Sequence, residues 1–119
     1  KLDLSKVYKG IAASSGNSFV HETESQVILN GSYNINFTMD LVLKDTGIFN
    51  ELAKKLNSSL EISPMIVNIF KDGEKKYGSK AWSSMIVKRM EDLNNINFRE
   101  EGFPDELIDN EPEEKGYEI

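Results

Sequence analysis

Apolar and polar residues alternate along much of this chain, and alternation with a period of two is typical of half-buried β-strands. The pattern is clearest over residues 33–44, where Tyr33, Ile35 and Phe37 begin an apolar face and polar side chains fill the other. Shorter alternating or β-branched runs cover residues 5–13, 19–29, 60–70 and 81–90. Together these runs predict five short strands.

Turn and helix signals fall between the predicted strands. Asn30-Gly31 and Asp72-Gly73 are strong hairpin signals, because both residue types tolerate positive φ. Asp45 can cap a helix over residues 47–57, where apolar residues recur at helical spacing.

The predicted order is three strands, one helix and two strands. This is the element order of the oligonucleotide-binding (OB) fold, a five-stranded Greek-key barrel with its helix between strands three and four. A ferredoxin-like domain needs two helices, and an immunoglobulin sandwich needs more strands. We therefore predict an all-β OB-fold barrel with one helix.

Charge divides the chain into two parts. The net charge is −6, and residues 99–119 contain nine acidic but only two basic side chains. The first 98 residues are therefore nearly neutral. We predict a barrel domain over residues 1–98 and an acidic, largely extended or disordered tail over residues 99–119.

Composition narrows the location and the chemistry. The chain has no cysteine, which excludes disulfides and thiolate metal ligands and favours the cytoplasm. No apolar run approaches the roughly 20 residues needed to span a bilayer, and we expect neither a signal peptide nor a membrane partner. His21, the only histidine, lacks the partners of a metal or catalytic site. We expect no metal, no cofactor and no enzymatic activity.

The predicted hairpin after the fourth strand combines cations with aromatic rings. Its candidate nucleic-acid contacts are Lys71, Lys75, Lys76, Tyr77, Lys80 and Trp82. Ammonium groups attract phosphates and aromatic faces stack on unpaired bases, so this set suits a single nucleic-acid strand. Solubility is the alternative role for the lysines, and core packing is the alternative for Trp82. Tyr8 and Tyr33 are further candidates in the first half of the chain.

Residues 46–93 resemble the second half of single-stranded-DNA-binding proteins. The resemblance rests on the helix Gly47-Ile-Phe-Asn-Glu-Leu-Ala-Lys-Lys-Leu56, the Asp72-Gly73 turn and the segment Ala81-Trp-Ser-Ser-Met-Ile-Val87. The first half matches only in strand order, and the small size is similar to that of phage versions. The resemblance implies sequence-tolerant binding of exposed single-stranded DNA during replication or recombination.

The same resemblance implies partners. Such barrels work as oligomers, so we expect a homo-dimer or homo-tetramer with edge strands pairing between subunits. An acidic tail in this family recruits replication and recombination proteins, and here Phe103, Tyr117 and Ile119 are the candidate contacts. The alternative is a phage protein-binding adaptor or host-factor inhibitor built on the same barrel. A phage-encoded protein would work in the host-cell cytoplasm.

Overall fold

The protein is helical where the sequence predicted strands. The computed structural model describes residues 2–110, 112, 115 and 116, and this part of the chain contains no β-strand. Its elements are α1 (Leu4–Ala12), α2 (Phe19–Asn30), α3 (Met39–Lys55), α4 (Ile62–Tyr77), a 3₁₀ helix (Ser83–Ile86) and α5 (Lys88–Asn94). The predicted five-stranded OB-fold barrel is therefore wrong.

Residues 19–29, predicted as a strand, form α2 because both of its ends are capped. The Ser18 hydroxyl accepts a hydrogen bond from the His21 backbone N–H at 3.0 Å, which satisfies a free donor of the first turn. Gly31 ends the helix with a φ of +95°, a conformation that glycine adopts without strain. The Asn30-Gly31 step that signalled a hairpin is thus a helix terminus.

The predicted third strand divides into a connector and the start of α3. Tyr33 and Asn36 have positive φ values of 55° and 56°, so the backbone turns there before α3 begins at Met39. Met39 and Leu43 are four residues apart, and this spacing fits a helix as well as it fits a strand. The predicted helix over residues 47–57 overlaps the second half of α3.

Residues 62–77, predicted as a strand and a turn, form the continuous helix α4. Pro64 lies in its first turn, where the missing N–H has no intrahelical partner to lose. Gly73 is buried in the same helix. A Cβ atom there would lie 2.8 Å from Ile86 Cδ1 and 3.0 Å from Met39 Sδ. Gly73 is therefore a packing residue that lets α4 approach α3 and the 3₁₀ helix.

A short backbone pairing holds the 3₁₀ helix against the start of α3. The Met39 N–H donates to the Ala81 carbonyl at 2.9 Å, and the Ser83 N–H donates to the Phe37 carbonyl at 2.8 Å. Met39, completely buried, lies at this junction. The other buried apolar residues of the described part are Val27, Leu29, Tyr33 and Ala53.

None of the helices in the described part of the chain combines the length and apolar character that crossing a membrane requires.

Replacing Gly73 with valine should destabilise the fold by about 1–3 kcal/mol, because the added side chain overpacks the contact with Met39 and Ile86. Thermal or urea unfolding measures the change. Gly47→Val is the matched control, since a Cβ atom at Gly47 on α3 would meet nothing within 4 Å. Equal stability of the two variants would show that α4 does not depend on this close approach.

Candidate functional site

The lysines predicted to form a hairpin tip lie on the last turns of α4 and in the loop after it. Lys71, Lys75 and Lys76 belong to α4, and Lys80 follows it. Lys80 pairs with Asp40 of α3, and this ammonium group is the main cause of a lowered pKa at Asp40. At least part of the predicted basic patch is therefore neutralised by carboxylates.

The carboxylate of Asp92 on α5 accepts hydrogen bonds from three neighbouring side chains. Lys76 Nζ lies 2.8 Å from its carboxylate, Lys88 Nζ lies 3.2 Å away, and the Tyr77 hydroxyl donates at 2.7 Å. Lys76 first, then Tyr77 and Lys88, hold the pKa of Asp92 well below its usual range. This cluster fastens α5 to the end of α4. Trp82 precedes the 3₁₀ helix and forms an isolated bridge with Thr38.

Tyr8 packs within the described part of the chain. Its ring centroid lies 4.9 Å from that of His21 and 5.3 Å from that of Phe103, edge to face. Its hydroxyl donates to the Glu22 carbonyl at 3.0 Å. Phe103, predicted as a partner contact, is thus half-buried against Tyr8. Tyr117 and Ile119, the other predicted partner contacts, lie outside the described residues.

Tyr33 belongs to a buried polar cluster with Glu91 and Arg99. The Tyr33 hydroxyl donates to Glu91, whose side chain is 1% exposed. Arg99 Nη1 lies 2.7 Å from the other carboxylate oxygen, and the guanidinium lies 5.1 Å from the centroid of the Tyr33 ring. Burial, followed by the hydrogen bond to Glu91, raises the pKa of Tyr33 to about 12. These bonds indicate a structural role for Tyr33.

The segment after α5 attaches to the C-terminal end of α2. Arg99 donates to the Ile28 carbonyl at 3.2 Å, and the Glu100 N–H donates to the Leu29 carbonyl at 3.0 Å. A Cβ atom at Gly31 would meet the Arg99 side chain, so glycine at this position allows both the left-handed φ and the approach of Arg99. The domain boundary that we placed between residues 98 and 99 stays a prediction.

A cavity of about 550 Å³ opens between α2, α3, α4 and the 3₁₀ helix, and we call it the central cavity. Its apolar wall is formed by Val20, Ile28, Phe37, Val42, Phe70 and Ile86. Its polar groups include the serine hydroxyls of Ser25 and Ser83, the imidazole of His21 and the carboxylate of Glu24. The combination of an apolar body with a few polar groups is typical of small-molecule sites.

His21 is oriented by two hydrogen bonds. Its Nε2 lies 2.9 Å from the Tyr8 backbone carbonyl, and its Nδ1 lies 3.1 Å from the Ser25 hydroxyl. Because a carbonyl only accepts, Nε2 carries a proton and donates it to Tyr8, while Nδ1 and the Ser25 hydroxyl share the second hydrogen bond. The pair resembles a nucleophilic serine with its general base. A hydrogen bond between residues four apart on one helix can equally have a purely structural role.

Glu24 is the half-buried carboxylate of the central cavity. It forms no hydrogen bond or ion pair with any residue in the described part of the chain. Burial raises its pKa, because an apolar environment disfavours the charged form. His21, Glu24, Ser25 and Ile28 recur at i, i+3, i+4 and i+7 on α2. We had interpreted residues 19–29 as a strand, in which side chains alternate with a period of two, and therefore did not predict that these four residues share a face.

A second cavity, of about 320 Å³, adjoins the central cavity along α2 and shares His21 and Ser25 with it. Leu4, Val7 and Ile11 of α1 form one wall, and Phe98 contributes to another. The two cavities form a largely apolar groove. Within the described residues, no three His, Cys, Asp or Glu side chains come together as a metal site.

Comparison with known proteins places the helical fold in a family. Residues 1–90 match the family described as NAD-binding of NADP-dependent 3-hydroxyisobutyrate dehydrogenase. The chain belongs to this family. It is 24% identical over 87 residues to L-threonate dehydrogenases of Escherichia coli K12, Haemophilus influenzae and Pectobacterium atrosepticum. Each match covers 73% of this chain, and the chain spans 29% of the length of each relative.

Family membership shows that the predicted relationship to single-stranded-DNA-binding proteins is wrong. The chain matches a dehydrogenase family and has helices where the barrel strands should be. Single-stranded DNA and the replication or recombination proteins are therefore the wrong partners, and the phage adaptor alternative has no support. The expected dimer or tetramer relied on strand edges, which the described residues do not form.

Our expectation of no enzymatic activity is also wrong, because the family and the relatives that the chain matches are dehydrogenases. The residues that line the central cavity do not by themselves fit a dinucleotide. Dinucleotide phosphates commonly bind a glycine-rich turn that opens a helix, and the sequence has no G-x-G-x-x-G. The charged side chain of the central cavity, Glu24, has the wrong sign for phosphate.

Replacing Arg99 with methionine should destabilise the fold by about 2 kcal/mol, because the buried Glu91 carboxylate loses a charged hydrogen-bond donor. Arg89→Met is the matched control. The side chains of Arg89 and its partner Asp72 are 19% and 56% exposed. Because the carboxylate stays in contact with water when its partner is lost, we expect this pair to contribute less than about 1 kcal/mol. Urea unfolding at neutral pH compares the two variants, and equal losses would contradict the structural role of the Glu91 cluster.

The same cluster predicts the response to acid. Burial alone would raise the pKa of Glu91, but hydrogen bonds from Tyr33, the Phe98 N–H and Arg99 outweigh it and lower the pKa below the ordinary 4.5. The stability that Glu91 contributes is therefore complete above the ordinary value and is lost as pH falls through the lowered one. Without Arg99 this loss should begin at a higher pH.

Proposed function

We propose that this chain supplies the helical domain of an NAD(P)-dependent oxidoreductase that acts on a small hydroxy acid, with L-threonate and 3-hydroxyisobutyrate as the first candidates. The observation that carries the proposal is the family match over residues 1–90. The relatives that are named L-threonate dehydrogenases support the choice of substrate class. A cytoplasmic location is part of the proposal, since a chain without cysteine has no need of an oxidising compartment.

The surface of the helices supports a role as one part of a larger enzyme. On α3, at its C-cap and on α4, more than half of each of the following residues is exposed: Ile48, Phe49, Leu52, Leu56, Ile62 and Met65. Apolar patches of this kind mark surfaces that pack against other protein. The proposal therefore gives these helices a scaffolding and water-excluding role.

We assign no reacting group to this chain. Hydroxy acids carry a carboxylate, and Glu24, the charged side chain among the described residues of the central cavity, is itself a carboxylate. Electrostatic repulsion therefore favours a substrate position outside that cavity. The nicotinamide cofactor supplies the oxidising or reducing equivalents in this class of enzyme. The proposed role of the residues of this chain is to form part of the wall around it.

The test is a dehydrogenase assay on the protein in the form in which its cells make it, recovered with an antibody raised against this chain. We expect the absorbance of the reduced nicotinamide to rise when L-threonate or 3-hydroxyisobutyrate is supplied with NAD⁺ or NADP⁺, because hydride transfer forms the reduced cofactor. Isobutyrate, which lacks the hydroxyl group, is the matched control and should give no change.

Antibody that has been saturated with the recombinant chain should recover no activity. Failure of every hydroxy acid tested, with both cofactors and with protein that is recovered in folded form, would overturn the proposed function.

A further inference from the structure

The central cavity has a size and a lining that suit a second kind of ligand. Its volume of about 550 Å³ lies within the range of roughly 300–1,000 Å³ that small-molecule sites occupy. Its apolar wall comes from two directions, with Phe37 and Val42 in and just before the start of α3 and Phe70 in the middle of α4. The cavity can therefore hold the apolar body of a ligand.

Glu24 gives the cavity a charge that the described protein does not balance. Its carboxylate is half-buried and has neither an ion pair nor a hydrogen bond in the described part of the chain. A carboxylate in apolar surroundings is costly until a cation or a donor meets it. The raised pKa of Glu24 reflects the same cost.

The remaining lining does not supply that cation. Among the described residues no lysine or arginine lines the cavity, and both ring nitrogens of His21 are bonded to the Tyr8 carbonyl and the Ser25 hydroxyl rather than to Glu24. A ligand that binds in this cavity can therefore bring the positive charge that Glu24 lacks. The hydroxyl groups of Ser25 and Ser83 line the same cavity and offer further acceptors to an ammonium group, which has three donors.

We propose that the central cavity binds a small primary amine with an apolar body, whose ammonium group pairs with Glu24 while its body packs against Phe37 and Phe70. Aromatic rings add to such a site, since their faces attract cations and their edges pack against other rings. This amine site is distinct from the position proposed for a hydroxy acid, because the two ligands have opposite charges. It goes beyond the proposed function and can stand if that function fails.

Phenethylamine is the probe, and 3-phenylpropionate, which has a carboxylate in place of the ammonium group, is its matched control. We expect saturable binding of the amine to the 119-residue chain by isothermal titration calorimetry, and no binding of the acid, because Glu24 attracts one and repels the other. This comparison uses the unmodified protein and does not depend on the folding of a variant.

Glu24→Gln should weaken amine binding about tenfold or more, the loss expected for a charged hydrogen bond. Glu22→Gln is the control variant, because Glu22 accepts from Asn17, does not line the central cavity and should leave the affinity unchanged. Thermal unfolding confirms that both variants are folded.

Three outcomes would overturn the amine site. The first is an absence of saturable amine binding at millimolar concentration. The second is equal binding of amine and acid, which would show an apolar groove open to any apolar molecule or protein segment. The third is a folded Glu24→Gln variant that binds the amine as tightly as the unmodified chain.

Discussion

The buried carboxylate of Glu91 connects more of this structure than any other single group that we describe. It accepts hydrogen bonds from the Tyr33 hydroxyl, the Phe98 backbone N–H and the Arg99 guanidinium. Through these partners α5, the turn that follows α2 and the C-terminal segment share one anchor. A buried charge is tolerated only when its partners are complete, so this cluster constrains all three segments at once.

The second constraint is the close approach of α4 to α3 at Gly73. The space that a side chain would occupy there is filled by Met39 and Ile86. The backbone pairing of Met39 with Ala81 and of Phe37 with Ser83 then fixes the 3₁₀ helix. Ser83 and Ser84 line the central cavity because that helix is held in this position. The cavity is therefore a consequence of how the helices pack.

The charges of the chain are used in two different ways. Near the end of α4, Lys76, Tyr77 and Lys88 surround Asp92, and this cluster connects helices. In the central cavity, Glu24 remains without such a partner in the described part of the chain. The first arrangement accounts for basic and aromatic residues that the sequence alone associated with nucleic acid. The second indicates where a ligand of opposite charge can bind.

Part of the fold could be read from the sequence by itself. The helix in the second half of α3 was predicted because its signals lie within a few residues of one another. The Ser18 cap and the helix end at Gly31 are equally local, but we interpreted residues 19–29 as a strand and Asn30-Gly31 as a hairpin turn. The concentration of acidic side chains after residue 98 is likewise a property of composition.

Tertiary structure decided the rest. Residues 33–44 and 60–70 have apolar residues two and four positions apart, a spacing that a strand and a helix both satisfy, so only the surface on which each segment packs selects between them. The candidate site depended on the same choice, because His21, Glu24 and Ser25 share a face only on a helix. The sequence also could not show whether a lysine is free or paired. Lys76 and Lys80 are distant in the chain from their partners Asp92 and Asp40, and only folding brings each pair together.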